Sequence, residues 1–179
     1  MSLNRTTIEG LYIVDHAVSN DARGSFSKNY QKSTFLDNQL KCNFAEGYYT
    51  SSIKNVIRGM HFQSPPYDHE KLVTVISGVI IDVVLDIRKS SKTYGAYFAI
   101  EISSESRKSL YIPKGLAHGF GVKSDCAIVQ YLVTGEYSAT NDNGVLFNSF
   151  GFSWPMSNPI ISDRDLTFPS LSKLISPFK

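Results

Sequence analysis

Leu72-Val-Thr-Val-Ile-Ser-Gly-Val-Ile-Ile-Asp-Val-Val-Leu-Asp-Ile87 is an apolar, β-branched run, and its reading decides the fold. It is too short to cross a membrane as a helix. It is broken at Ser77-Gly78, where glycine takes the positive φ of a tight turn that a residue with a Cβ resists. Two strands are therefore expected around that break. In the second, Asp82 and Asp86 share a face with Ile80 and Val84, while Ile81, Val83 and Leu85 share the other. Asp82 is read as facing inward to support a pocket, and Asp86 as a structural partner of Arg88.

Outward from this run the dominant period remains two. Further strands are expected at Leu11–Val14, around Val18, and at Tyr97–Ile102, Ser109–Ile112, Gly119–Val122 and Ala127–Thr134, punctuated by Gly, Pro, Asn and Ser. Helical signals are confined to Ser33–Gln39 and to a short C-terminal helix capped at Ser162-Asp163 and ended before Pro169. The expected class is all-β, a sandwich or barrel with one or two short helices, in one domain spanning residues 1–179. No repeat, linker or low-complexity tract divides the chain.

Eighteen Lys and Arg against sixteen Asp and Glu give a net charge of +2. With no basic stripe, a nucleic-acid partner is not expected, and any bound anion should be small and locally held. The polar start MSLNRTTIEG has no apolar stretch of leader type, and no membrane partner is expected, so the reading is of a soluble, cytoplasmic protein. Cys42 and Cys126 are too far apart for a CxxC motif and are read as reduced structural thiols.

Two stretches nominate one pocket: Arg58-Gly-Met-His-Phe-Gln63 and Ile112-Pro-Lys-Gly-Leu-Ala-His-Gly-Phe120. A jelly-roll barrel holds a metal through a first motif HxHx(3–4)Ex(6)G and a second PxGxxH. Pro113 to His118 supplies the second. The first fails, because the six-residue gap back from Gly78 lands on Lys71 and no His-x-His precedes it; an ammonium at a ligand position repels a divalent cation. His69-Glu70 does not repair the set, since neighbours on a strand point to opposite faces. No metal and no other cofactor is expected.

These motifs, together with Asp21-Ala-Arg-Gly-Ser-Phe26, Lys71-Leu-Val73, Gly78 to Arg88 and the pair Tyr131 and Tyr137, resemble the dTDP-4-dehydrorhamnose 3,5-epimerase family, in order and over nearly the whole chain. The resemblance implies a cupin-type jelly roll and a homodimer that exchanges N-terminal elements. It also implies a nucleotide-linked 4-keto-6-deoxy sugar as substrate, in surface polysaccharide biosynthesis. By the same resemblance His61 is the base, Tyr137 or Tyr131 the proton donor, with Tyr137 favoured, and Lys71 the cation near the enolate. Arg58 and Arg23 grip the diphosphate, Arg23 from the partner subunit, with Phe26 and Lys28 on the same N-terminal segment. Gln63 and His118 line the pocket. The chemistry is coherent: a carbon acid beside a ketone is epimerised by a base on one face and a donor on the other while the enolate oxygen is stabilised.

Two departures from the family pattern bear on function. The family's aspartate behind the histidine is sought in a Trp-Asn-Asp stretch, which here is Leu146 to Pro155 and contains no aspartate. Asn148, Ser149, Asp142 or Asp163 is then the candidate support for His61, and Ser149→Asp or Asn148→Asp is expected to speed α-proton exchange. The base-reading run is Glu46-Gly-Tyr-Tyr-Thr50 in place of Gln-x-Asn-x-Ser, and the usual glutamate after Arg-Gly-x-Phe is Lys28. Glu46 can accept two donors from guanine, and Tyr48 or Tyr49 can stack on a base, which opens a GDP-linked heptose beside a dTDP-linked hexose. A sugar-nucleotide 3,4-ketoisomerase and a non-catalytic sugar-nucleotide binding protein are the remaining alternatives.

Overall fold

The computed structural model describes residues 1–179. Thirteen strands and two short helices follow one another as β1 (Ser2–Arg5), β2 (Tyr12–Asp15), β3 (Ala17–Asp21), β4 (Gly24–Lys28), α1 (Lys32–Asp37), β5 (Glu46–Ile53), β6 (Ile57–Gln63), β7 (Lys71–Ser77), β8 (Val79–Asp86), β9 (Tyr97–Ser103), β10 (Lys108–Ile112), β11 (Leu116–Val122), β12 (Cys126–Val133), β13 (Asp142–Gly144) and α2 (Asp163–Leu166). A six-stranded sheet in the order β1-β2-β10-β7-β12-β5 faces a five-stranded sheet in the order β13-β6-β11-β8-β9. β3 and β4 form a separate hairpin.

The opening run behaves as two strands, and Gly78 takes φ +83°. They are not a hairpin, however: β7 pairs with β10 and β12, and β8 with β11 and β9. The chain changes sheets at Gly78, where a Cβ would lie 2.2 Å from the Cys126 carbonyl oxygen. Ile80 and Val84 face the space between the sheets with Val73, Val75, Leu110, Phe120 and Val129. Val83 and Leu85 turn to the outer face, where the C-terminal segment covers them through Phe150 and Phe178. The outer face of the larger sheet is closed near Val14, Leu72 and Tyr111 by Phe35 of α1. Burial on both sides explains why this stretch reads as nearly continuous apolar sequence rather than as alternation.

Both helical expectations are met. The Ser162 hydroxyl accepts from the Asp165 amide at 3.2 Å and starts α2. Cys42 is buried as a structural thiol, whereas Cys126, at the exposed start of β12, is not. Asp86 takes two side-chain hydrogen bonds from Arg88, at 2.9 and 2.7 Å. No helix is long and apolar enough to cross a membrane.

Candidate active site

A cleft of about 350 Å³ opens between the two sheets. The five-stranded sheet contributes Arg58 and His61 from β6 and His118 from β11. The six-stranded sheet contributes Lys71 from β7, Tyr131 and Val133 from β12, and Glu46, Tyr48 and Thr50 from β5. Strict alternation would turn Arg58 and His61 to opposite faces, because they are three residues apart. A bulge resolves this. His118 pairs with His61 and Phe120 with Arg58, so β6 carries one residue more than β11 between those pairs. Gly59 absorbs it at φ +138°, and a Cβ there would stand 2.5 Å from the Gly119 Cα. The glycine of Arg-Gly-Met-His is what brings cation and imidazole into one cleft.

His61 is held by a carboxylate that the sequence reading did not find. Its Nε2–H donates to Asp165 Oδ1 at 2.9 Å, which leaves Nδ1 as the nitrogen able to take a proton. Asp165 is 4% exposed, and its other oxygen accepts from the Gly59 amide at 3.1 Å. Burial alone would raise this carboxyl, but the hydrogen bonds from His61, Gly59 and Ser162 outweigh it and hold it below the usual carboxylate range. The expected supports are therefore corrected. Ser149 Oγ donates to the Leu146 carbonyl and accepts from the Leu171 amide, Asn148 and Asp163 are exposed, and Asp142 pairs with Arg164 at 2.7 Å. The supposed loss of the aspartate and the expected gain from Ser149→Asp both fall: the imidazole already has its anion.

Lys71 is 9% exposed, and burial lowers its ammonium to about 8 against the raising influence of Asp142. Tyr131 is held by aromatic neighbours, stacked on Tyr48 at 4.8 Å and 13° and edge-on to His118 at 5.9 Å. Burial, then Tyr48 and Asp82, push its hydroxyl well above the usual tyrosine range, so it keeps its proton at neutral pH. Burial and the carboxylates of Glu46 and Asp142 push Tyr48 up to about 12. His118 Nε2 lies 3.0 and 2.9 Å from the two oxygens of Asp82, which does point inward as expected. Arg58 Nε donates to Ser52 Oγ at 2.9 Å. Thr50 Oγ1 is the one buried side-chain polar atom without a hydrogen-bond partner, an acceptor and donor left over for a ligand in the cleft.

The open mouth is bordered by the loop between β12 and β13. The Tyr137 amide donates to Glu46 Oε2 at 2.9 Å, its hydroxyl to Asp142 Oδ2 at 3.3 Å, and the Ser138 amide to Gln63 Oε1 at 3.1 Å. Tyr137 is 59% exposed. Glu46 and Gln63 thus hold this loop as well as lining the cleft. Arg23, Phe26 and Lys28 do not join the cleft of their own chain. They stand on the exposed β3–β4 hairpin, where Arg23 pairs with Asp21 at 2.6 Å. The residues that sequence reading missed are Asp165 and Arg164; Thr50 stood in the base-reading run without a role, and His69 was weighed only as a metal ligand. The Ser162 cap was the available signal for Asp165, but only the tertiary fold shows which strand α2 meets.

The dTDP-4-dehydrorhamnose 3,5-epimerase family model matches residues 5–173. A dTDP-4-dehydrorhamnose 3,5-epimerase of Shigella flexneri is 37% identical over 169 residues, 93% of each chain. The crystal structure of the Sulfolobus tokodaii epimerase of that name superposes with a TM-score of 0.92 at 35% identity over the full length of both chains. A Legionella pneumophila epimerase in complex with dTDP-4-keto-L-rhamnose superposes with a TM-score of 0.92 at 29% identity, over 97% of this chain and 94% of that one. With a cupin-type pair of sheets around one polar cleft and a match along its whole length, the chain belongs to the dTDP-4-dehydrorhamnose 3,5-epimerase family.

Proposed function

We propose that the chain inverts a stereocentre beside the C4 ketone of a dTDP-linked 4-keto-6-deoxy sugar. The observation that carries this is His61 on one sheet wall, backed by Asp165 of α2, facing Lys71 and Tyr131 on the other wall. His61 Nδ1 removes the α-proton, and the imidazolium so formed is stabilised by Asp165. The Lys71 ammonium meets the enolate oxygen. Tyr131, rather than the favoured Tyr137, delivers the proton to the opposite face: it is buried in the wall across from His61, while the Tyr137 hydroxyl is engaged at the open mouth by Asp142. Arg58 is the diphosphate cation in this reading, because its guanidinium, anchored through Nε to Ser52, lines the same cleft as the unpartnered Thr50 hydroxyl and keeps its terminal donors.

A dTDP group is favoured over GDP. One oxygen of Glu46, the carboxylate that a guanine would need, already accepts from the Tyr137 amide, and the Legionella relative holds a dTDP sugar. The test is incubation with dTDP- and GDP-linked 4-keto-6-deoxy sugars in D₂O, with deuterium read at C3 and C5 by NMR. Incorporation from the dTDP sugar with retention of the C4 ketone is expected. A moved carbonyl would make the protein a ketoisomerase, and no incorporation from either sugar would leave a binding protein. In Tyr131→Phe, inversion should fall by about 10²–10⁴-fold while exchange continues, because the base can return deuterium to the face it came from. The same signature in Tyr137→Phe and not in Tyr131→Phe would reverse the assignment.

Lys71 sets the alkaline side. Its ammonium is charged below about 8 and neutral above it, so turnover should fall as pH rises through that value. Lys71→Met should lose about 10²–10³-fold in kcat and, with it, this alkaline limb. A limb that survives the substitution would assign it to another group.

The chain is further read as a homodimer that lends its β3–β4 hairpin to a second copy, with Arg23, Phe26 and Lys28 reaching the partner's cleft. Support comes from their exposure on a hairpin outside both main sheets. Light scattering that finds a monomer removes this reading.

A further inference from the structure

Arg164 is assigned no part in the chemistry above, yet it lines the same cleft one residue before Asp165. Its guanidinium stands between two carboxylates: Nη1 is 2.7 Å from Asp142 Oδ2, and Nε is 4.0 Å from Asp165 Oδ1, the oxygen that holds His61. It is also poised over Phe168, 5.3 Å from the ring centroid, and that ring stands T-shaped to His61 with centroids 5.8 Å apart. The cation is thus close enough to act on the histidine and its carboxylate, and Asp142 draws it off them. Asp142 is well placed for this. It opens β13, pairs in register with Gln63 two residues beyond His61, and has a side chain 13% exposed.

We infer that Arg164 and Asp142 are a positioning pair that sets the basicity of His61, Arg164 opposing its protonation and Asp142 limiting that opposition. The inference rests on the reading of His61 as the base. A cation near the imidazole makes proton uptake harder, and an anion makes it easier. The two members of the pair must therefore act with opposite sign. Around His61 the other ionisable groups are Asp165 of α2, Lys71 of β7, Tyr131 of β12, Glu46 and Tyr48 of β5, His69 and Tyr137 of the loops, Arg58 on its own strand, and His118 with Asp82 across it. Of these, Lys71 and Tyr48 also feel the Asp142 carboxylate, which raises both. Asp142→Asn therefore moves the alkaline limb as well, and the pair is judged on the acid limb and the His61 resonance alone.

In Arg164→Gln the acid limb of the α-proton exchange rate should move to higher pH by about one unit, equal to about tenfold in rate on that limb. In Asp142→Asn it should move to lower pH by a similar amount, because an anion is lost and the guanidinium is released toward Asp165. Arg164→Lys keeps the charge and should stay with the parent. Labelled-histidine NMR follows the His61 resonance through the same titrations without requiring turnover, with His61→Gln identifying the signal among four histidines. Opposite displacements in the two variants support the pair. Displacement in the same direction, or none, would mean that the pair only braces the fold, and the inference fails. Exchange that survives in His61→Gln would instead overturn the assignment of the base, a different failure with a different signature.

Discussion

Asp165→Asn is expected to slow α-proton exchange and epimerisation by about 10³–10⁴-fold at neutral pH, with the fold retained. The substitution is nearly isosteric, so the contact with the Gly59 amide, 3.1 Å in the parent, survives through the side-chain carbonyl. What is lost is the negative charge 2.9 Å from His61 Nε2. With an amide there, proton abstraction must create an imidazolium beside a neutral dipole rather than an anion. The imidazole also no longer has a fixed reason to keep its hydrogen on Nε2 and its lone pair on Nδ1. The measurement is single-turnover exchange in D₂O together with thermal unfolding. A variant within tenfold of the parent, unfolding at the parental temperature, would show that Asp165 is scaffold rather than support.

The second large effect is on stability. Asp82→Ala should cost about 3 kcal/mol, seen as a lower denaturation midpoint with an unchanged slope. Asp82 is fully buried and His118 is 4% exposed, and both carboxylate oxygens lie within 3.0 Å of Nε2. Removal of the carboxylate leaves the imidazole N–H inside the barrel with no acceptor and opens a void beside Ile80 and Val84. Asp82→Asn keeps an acceptor and should cost less. A loss below about 1 kcal/mol in the alanine variant would mean that water or the substrate cleft readily takes over the interaction.

Much of this architecture was legible in the sequence, for identifiable reasons. Alternation along Val79 to Asp86 placed Ile80, Asp82 and Val84 together because a strand offers only two faces. Lys71 was placed in the pocket by its position at the head of a buried strand, and it lines the cleft. The Ser162 cap marked α2 because its signal is local. What stayed hidden depended on distance in space. Nothing between Ser77 and Val79 says that the chain leaves one sheet for the other, since a glycine at positive φ serves a hairpin and a crossover equally well. Asp165 was overlooked in favour of Asn148 and Ser149 because motif spacing drew attention to the wrong segment, and the 104 residues that separate it from His61 carry no register. Glu46 read as a free carboxylate until the Tyr137 amide was seen to occupy one of its oxygens.

That separation has a consequence for the order in which the protein is made. A ribosome delivers His61, Lys71 and Tyr131 well before Asp165, so both sheets can assemble around a cleft whose base has no anion behind it. Competence arrives only when α2 follows and sets Asp165 behind the base. A nascent chain is thus shaped to hold a sugar nucleotide before it can transform one.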